Sequence, residues 1–171
     1  YKFHSVDGIG QVADDVGTTY TINVYYEVRS DLKYTVEYRE NSASGTKLLS
    51  DKVVENRTFG ETYTESAAVI TGYNVDANEK SVTMTMGENK IVFIYTKKTD
   101  LEYTVKYVEK DTGTELIPSK TEKGKTFGET YTETYVDIPG YVVDSEVKSI
   151  TLDKETGNEL VFVYSKRTDL S

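Results

Sequence analysis

The sequence predicts a mainly β chain made of small tandem modules, and three observations carry that reading. The stretch Thr58-Phe59-Gly60-Glu61-Thr62-Tyr63-Thr64-Glu65 recurs unchanged as residues 126–133. Apolar and polar residues alternate with a period of two through Tyr34-Thr35-Val36-Glu37-Tyr38 and Tyr103-Thr104-Val105-Lys106-Tyr107, the pattern of a half-buried strand. Thr, Val, Ile, Tyr and Phe, which suit a pleated surface, fill these stretches.

The repeat sets the domain boundaries. Opening runs at Leu32–Tyr38 and Leu101–Tyr107 lead to the octapeptide, then to Gly72-Tyr73 or Gly140-Tyr141. Lys-Ser-(Val/Ile)-Thr follows at 80–83 and 148–151, and each unit closes on an apolar run, Ile91–Tyr95 or Leu160–Tyr164. The offset is 68 residues mid-unit and 69 at its ends. Units run 31–99 and 100–168, with 169–171 beginning the next linker. Period and length match a whole small domain rather than a rung of a solenoid, whose units span about 20–50 residues. At about 69 residues, such a module lies near the lower limit for a self-sufficient core.

Composition narrows the function. The 171 residues carry no cysteine, which removes disulfides and thiolate metal sites. A net charge of −9, spread along the chain, argues against nucleic acid as a partner. No apolar run approaches the roughly 18–20 residues of a membrane span, and the first residues hold no signal-peptide pattern. The chain opens on Tyr1 and reads as a fragment whose export and anchoring signals lie elsewhere.

Residues 1–30 read as the second half of a preceding, incomplete unit. Ile22–Tyr26 aligns with Ile91–Tyr95 and Tyr1 with Tyr73, with about three extra residues at Gly8–Gly17. Lacking an opening strand, this part is expected to dock on a neighbouring surface or a second molecule, or to be poorly ordered. The chain is otherwise expected to be monomeric.

Within a full unit, Asn41–Gly45 and Lys110–Gly113 are hairpin turns. A second strand is expected over about 114–125, and strands at 148–152 and 160–164 are joined by the turn 153–158. The segment from Gly128 to Tyr141 reads either as a short helical turn or as an irregular strand, since its threonines oppose a long helix. The tight link between Tyr95 and Leu101 favours parallel first and last strands at the sheet centre, and the apolar closing run suits that place. This is a β-grasp-like arrangement (α+β with little helix), and units in series predict an elongated rod.

The motifs Tyr103–Val108, Asp111–Pro118, Gly128–Tyr131, Ile138-Pro139-Gly140-Tyr141 and Val161–Tyr164 resemble the mucin-binding protein (MucBP) repeat of Gram-positive surface proteins. The resemblance covers 100–166 well. Residues 31–97 depart where Ser50 stands near the place of Pro118 and Ile70-Thr71-Gly72-Tyr73 replaces Ile-Pro-Gly-Tyr. It implies a secreted, cell-wall-anchored adhesin, extracellular, with host mucin or another glycoprotein as ligand. It supplies no binding residues.

Among candidate sites, catalysis is disfavoured. His4, the sole histidine, lies in the incomplete unit, and no cysteine nucleophile exists. Glu61 with Glu65, and Glu129 with Glu133, could be imagined as glycosidase carboxylates, but acids recurring in two small modules read as surface chemistry. Asp111-Thr112-Gly113-Thr114-Glu115 offers calcium-like oxygens, yet Ser42–Lys47 in the other unit lacks both acids. A Lys–Asn isopeptide bond is disfavoured because Glu37 takes the place of Lys106 and the expected closing strands contain no asparagine. No cofactor is implied.

Fifteen tyrosines and no tryptophan make Tyr the natural sugar-contacting residue. Tyr63 and Tyr131, with Glu61 and Glu129, are the ligand-binding candidates, while Tyr73 and Tyr141 read more as core. Two functions fit: weak multivalent binding of host glycans, or a non-binding stalk that projects a distal domain. Capture of a protein at a sheet edge is a third.

Overall fold

The computed structural model describes residues 1–7 and 22–168. The expected insertion at Gly8–Gly17 and the linker from 169 lie outside the described residues. Among the described residues fourteen strands form, in order β1 (Lys2–Asp7), β2 (Asn23–Glu27), β3 (Leu32–Glu40), β4 (Lys52–Arg57), β5 (Thr62–Ser66), β6 (Tyr73–Val75), β7 (Glu79–Thr83), β8 (Lys90–Lys97), β9 (Leu101–Glu109), β10 (Lys120–Lys125), β11 (Thr130–Thr134), β12 (Tyr141–Val143), β13 (Val147–Thr151) and β14 (Asn158–Lys166).

Each repeat makes a four-stranded sheet and a two-stranded ribbon. The sheets have orders β4-β3-β8-β6 and β10-β9-β14-β12, and the ribbons are β5-β7 and β11-β13. In the second repeat β9 and β14 run parallel at the centre, Val105 beside Leu160 and Tyr107 beside Phe162. The expected parallel pairing of first and last strands is therefore present. The closing strand is buried on one face by Leu160, Phe162 and Tyr164 and half-buried on the other, as a central strand requires.

Chain contacts divide the protein into two compact units, Tyr1–Ala67 with Asp76–Ile94 and Ala68–Val75 with Tyr95–Ser171. The core of the second unit gathers Tyr103, Val105, Tyr107, Leu152, Leu160, Phe162 and Tyr164. Tyr107 stacks on Phe162 at 6.0 Å between ring centroids, and in the first unit Tyr38 stacks on Phe93 at 6.2 Å. Burying such a phenylalanine contributes about 1.5–3 kcal/mol.

Two expectations are corrected and one open choice is settled. Of the two readings for the segment from Gly128 to Tyr141 the strand forms: no helix occurs among the described residues, and the segment after Gly128 becomes β11. Its Thr-Tyr-Thr-Glu alternation finds a partner in Lys-Ser-Ile-Thr of β13, Tyr131 beside Ile150 and Glu133 beside Lys148, so sheet pairing satisfies the backbone that a helical turn would otherwise have to serve. The second strand is shorter than 114–125. Only the bridge Val108–Glu115 precedes Lys120–Lys125, and the first repeat does the same with Arg39–Lys47 and Lys52–Arg57 although Ser50 stands there in place of Pro118. Asn158 begins β14 rather than ending a turn. It is buried and donates Nδ2 to the carbonyls of Glu102 (3.3 Å) and Lys154 (3.0 Å), which anchors the preceding loop. Asn89 does the same for Lys33 (3.4 Å) and Thr85 (3.0 Å).

A bulge sits at the end of the second strand of each repeat. In β10 the register shifts between Glu122 and Lys125, around Gly124 at φ 65°. Asn56 holds the equivalent place at φ 56°, the residue type that best tolerates a left-handed backbone after glycine. The extra residue ends regular pairing and re-aims the next side chain, Lys125 or Arg57.

Candidate ligand-binding face

The octapeptide places its residues alternately. Thr62 and Thr64 of β5 face outward, while Tyr63 and Glu65 are half-buried beneath. Thr130, Thr132, Tyr131 and Glu133 repeat this on β11. Opposite them, β7 and β13 present Ser81 and Thr83, and Ser149 and Thr151. The outcome is a ladder of paired hydroxyls. Thr62 and Thr83 Oγ1 lie 2.8 Å apart and Thr64 Oγ1 is 2.7 Å from Ser81 Oγ. In the second repeat Thr130–Thr151 measures 2.8 Å and Thr132–Ser149 3.0 Å. Each hydroxyl can still accept a further bond, and the ribbon face is open to solvent.

Beneath the ladder, each Tyr is held on several sides. Tyr63 stacks on buried Tyr34 at 6.0 Å, and the Arg57 guanidinium lies over its ring at 4.9 Å. Tyr131 stacks on Tyr103 at 5.8 Å, with Lys125 Nζ over it at 4.9 Å. The Tyr63 hydroxyl accepts the Thr58 N–H (3.1 Å) and donates to Glu61 Oε2 (2.6 Å). Tyr131 accepts from Thr126 N–H (2.9 Å) and donates to Glu129 (3.1 Å). Thus the four candidates Glu61, Tyr63, Glu129 and Tyr131 come together pairwise, one pair per repeat. The carboxylates are exposed; the rings are partly covered by an aromatic and a cation.

Glu65 and Glu133 are tied inward. Glu65 accepts from the Tyr34 hydroxyl (2.7 Å) and Lys52 Nζ (2.8 Å), and Glu133 from Tyr103 (2.6 Å) and Lys120 (3.0 Å). Burial works against ionisation of Glu65, but the hydrogen bonds from Lys52 and Tyr34 outweigh it and hold its carboxyl below the usual range. Burial, together with the bond to Glu133, pushes Tyr103 up. The acids first paired with Glu61 and Glu129 for bond cleavage are therefore bound into the structural network.

Other candidates resolve into structural contacts. The Asp111–Glu115 stretch is a hairpin turn in which Gly113 N–H donates to the Glu109 carbonyl at 2.8 Å. Lys106 Nζ is 2.6 Å from Glu159. Tyr141 packs on the core and donates to Glu109 at 3.3 Å. Tyr73 meets Phe127 edge-on at 6.0 Å. His4 lies 3.7 Å from Glu27, both exposed. Among the described residues, no group of three or more His, Cys, Asp or Glu is placed to hold a metal ion, and no helix is long and apolar enough to cross a membrane.

Sequence reasoning missed Ser81, Thr83, Ser149 and Thr151. The signal was present in Lys-Ser-(Val/Ile)-Thr, whose recurrence marked it as part of the unit. What it lacked was the strand opposite.

Fold and ribbon together define a tandem β-repeat protein whose recurring exposed chemistry is hydroxyl and carboxylate. The MucBP domain model matches residues 33–96 and 103–165, and the chain belongs to that family. It is similar to Internalin J of Listeria monocytogenes serotype 4b, 31% identical over 137 residues, covering 77% of this chain and 14% of that protein. Internalin J of serovar 1/2a is 30% identical over 128 residues, covering 72% and 15%. The chain thus spans about one seventh of the length of these curated relatives. Among solved structures, the type 2 repeat of the mucus binding protein MUB from Lactobacillus reuteri is 17% identical, with 79% of this chain and 99% of that chain covered and a TM-score of 0.29. Streptococcal SHIRT domains 3–4 from a cell surface protein reach 15% identity, 77% and 96% coverage and a TM-score of 0.22.

Proposed function

We propose that the two repeats are weak glycan-binding modules of an extracellular bacterial adhesin, acting together on host mucin or another glycoprotein. The observation that carries this reading is the hydroxyl ladder. Its eight residues are outward, open to solvent and keep a hydroxyl at every matching position of the two repeats. A core requires none of them. Ordered hydroxyls with a flanking carboxylate, Glu61 or Glu129, match the donors and acceptors of a neutral sugar, and the net charge of −9 disfavours acidic ones. Tyr63 and Tyr131 position that carboxylate and offer a ring edge. Two weak sites in one chain raise avidity without new contacts.

The stalk reading has its own support in the partial covering of both candidate rings by Tyr34 with Arg57 and by Tyr103 with Lys125. Surface plasmon resonance on immobilised mucin, before and after enzymatic deglycosylation, separates the two. Binding should depend on glycans. Combined Thr64→Val, Ser81→Ala, Thr132→Val and Ser149→Ala should weaken it at least about tenfold, since each lost hydrogen bond is worth about 0.5–1.5 kcal/mol. Tyr131→Ala should weaken the second site. Absence of binding at high micromolar protein leaves the stalk.

A further inference from the structure

Beyond its two hydroxyl pairs each ribbon has one more outward rung, and there the two repeats part. In the first repeat Ser66 lies opposite Glu79, and its Oγ donates to Glu79 Oε1 at 3.3 Å. In the second repeat Thr134 lies opposite Val147. The backbone pair that follows is common to both. The Ala67 N–H donates to the Asn78 carbonyl at 2.8 Å, and the Tyr135 N–H to the Glu146 carbonyl at 2.9 Å. Tyr135 therefore takes the place of Ala67.

The core does not call for this exchange. Ser66, Glu79, Thr134 and Val147 all occupy exposed positions of the ribbons. Val147 is 52% exposed and Tyr135 37%. The second ladder thus ends in a small apolar step continuous with its hydroxyls, whereas the first ends in a carboxylate. Thr130 and Thr132 share their hydroxyls with Thr151 and Ser149. Val147 has none to share, so the Thr134 hydroxyl stands beside two sets of methyl groups with its donor and acceptors unspent across the rung.

We propose that the Thr134–Val147 rung, with Tyr135, makes the second repeat selective for a sugar bearing an acetamido group, an N-acetylhexosamine. The first repeat does not share this preference. The inference rests on the reading of the ladders as glycan sites. An acetamido group places a methyl next to an N–H and a carbonyl. The methyl covers Val147 and the Thr134 methyl, the Thr134 hydroxyl meets the amide, and Tyr135 offers an amphipathic ring. The neighbouring rungs, Thr132–Ser149 and Thr130–Thr151, are left to the ring hydroxyls. A 6-deoxy sugar supplies a methyl without an amide and so matches only half of the rung. In the first repeat the Glu79 carboxylate stands where that methyl would lie, and covering a charge with an apolar group is unfavourable.

The test uses the whole chain, labelled for amide NMR and titrated to about 100 mM with N-acetylgalactosamine, galactose or 6-deoxygalactose. With the acetamido sugar, shifts should concentrate on residues 130–135 and 147–151, and saturation transfer should be strongest to its methyl protons. Galactose should bind the second ladder at least about threefold more weakly, roughly the worth of one covered methyl. The first ladder, residues 62–66 and 79–83, should not prefer the acetamido sugar. Val147→Glu, which copies the first repeat at an exposed position, should erase the preference. Ser66→Thr with Glu79→Val should confer part of it on the first ladder, so a gain is read as well as a loss. Equal binding of the acetamido sugar and galactose by the second ladder, or a preference that survives Val147→Glu, would overturn the proposal and leave glycan binding standing. So would 6-deoxygalactose binding as tightly as the acetamido sugar, which would assign the rung to a methyl alone. Absence of shifts on both ladders with every sugar would sink glycan binding itself, and this selectivity with it.

Discussion

The two complete repeats carry the same cross-strand ion pair with its charges exchanged. Glu37 on β3 meets Lys90 on β8 at 2.9 Å, whereas Lys106 on β9 meets Glu159 on β14 at 2.6 Å. Arg57 over Tyr63 likewise becomes Lys125 over Tyr131, and Asn56 becomes Gly124 at the bulge. At these places the fold requires a property, a charge pair, a cation or a left-handed backbone, and either chemical solution supplies it. The hydroxyl ladder behaves differently: Thr62, Thr64, Ser81 and Thr83 return with the same identities. Positions set by geometry tolerate exchange, while this face retains its chemistry.

A glycine pair gives the largest expected contrast. Gly72 and Gly140 both sit at positive φ, 79° and 84°. A Cβ on Gly72 would lie 2.2 Å from Phe127 Cγ, whereas one on Gly140 meets nothing within 4 Å. Gly140→Ala should cost about 1–2 kcal/mol from the backbone alone. Gly72→Ala should cost about 1–3 kcal/mol more, because the Phe127 ring must leave its seat. Urea denaturation of the two variants measures the difference, and equal costs would mean that the ring yields freely.

Acid should act next. Hydrogen bonds from Lys90 and Arg39 hold Glu37 below the usual carboxylate range. For Asp76 and Asp144, burial opposes ionisation but is outweighed by Lys80 and Lys148, and Glu65 behaves in the same way through Lys52 and Tyr34. Groups with depressed folded values bind protons more readily when unfolded, so stability rises with pH across this window. It should be complete above the ordinary glutamate value of 4.5 and fall as pH drops through the lower folded values. Thermal melts between neutral and acid pH should show this, and Glu65→Gln should flatten the acid limb. A melting temperature independent of acid would refute the assignment.

The exchanged ion pair predicts the smallest effect. Lys106→Glu opposes two acids and should cost about 0.3–1 kcal/mol, less at high salt, and adding Glu159→Lys should restore it by re-creating the arrangement of the first repeat. A double-mutant cycle with no coupling would show that the pair is merely tolerated.

The sequence by itself determined the repeat, the period-two strands, the turns and the parallel central pair. Each of these is written in local alternation or in the short link between Tyr95 and Leu101. It also brought Tyr63 and Tyr131 to notice, with their neighbouring glutamates. Only the tertiary structure decided that β11 pairs with β13, that Asn158 anchors a loop from within β14, and that a cation rests over each candidate ring. β12 is three residues long, too short for its period to register in the sequence. The physical reason is common to all of these. Alternation shows which residues of a strand share a face, but which strand lies opposite is settled by non-local packing. The ladder exists only once Thr132 and Ser149, 17 residues apart, are brought within 3.0 Å.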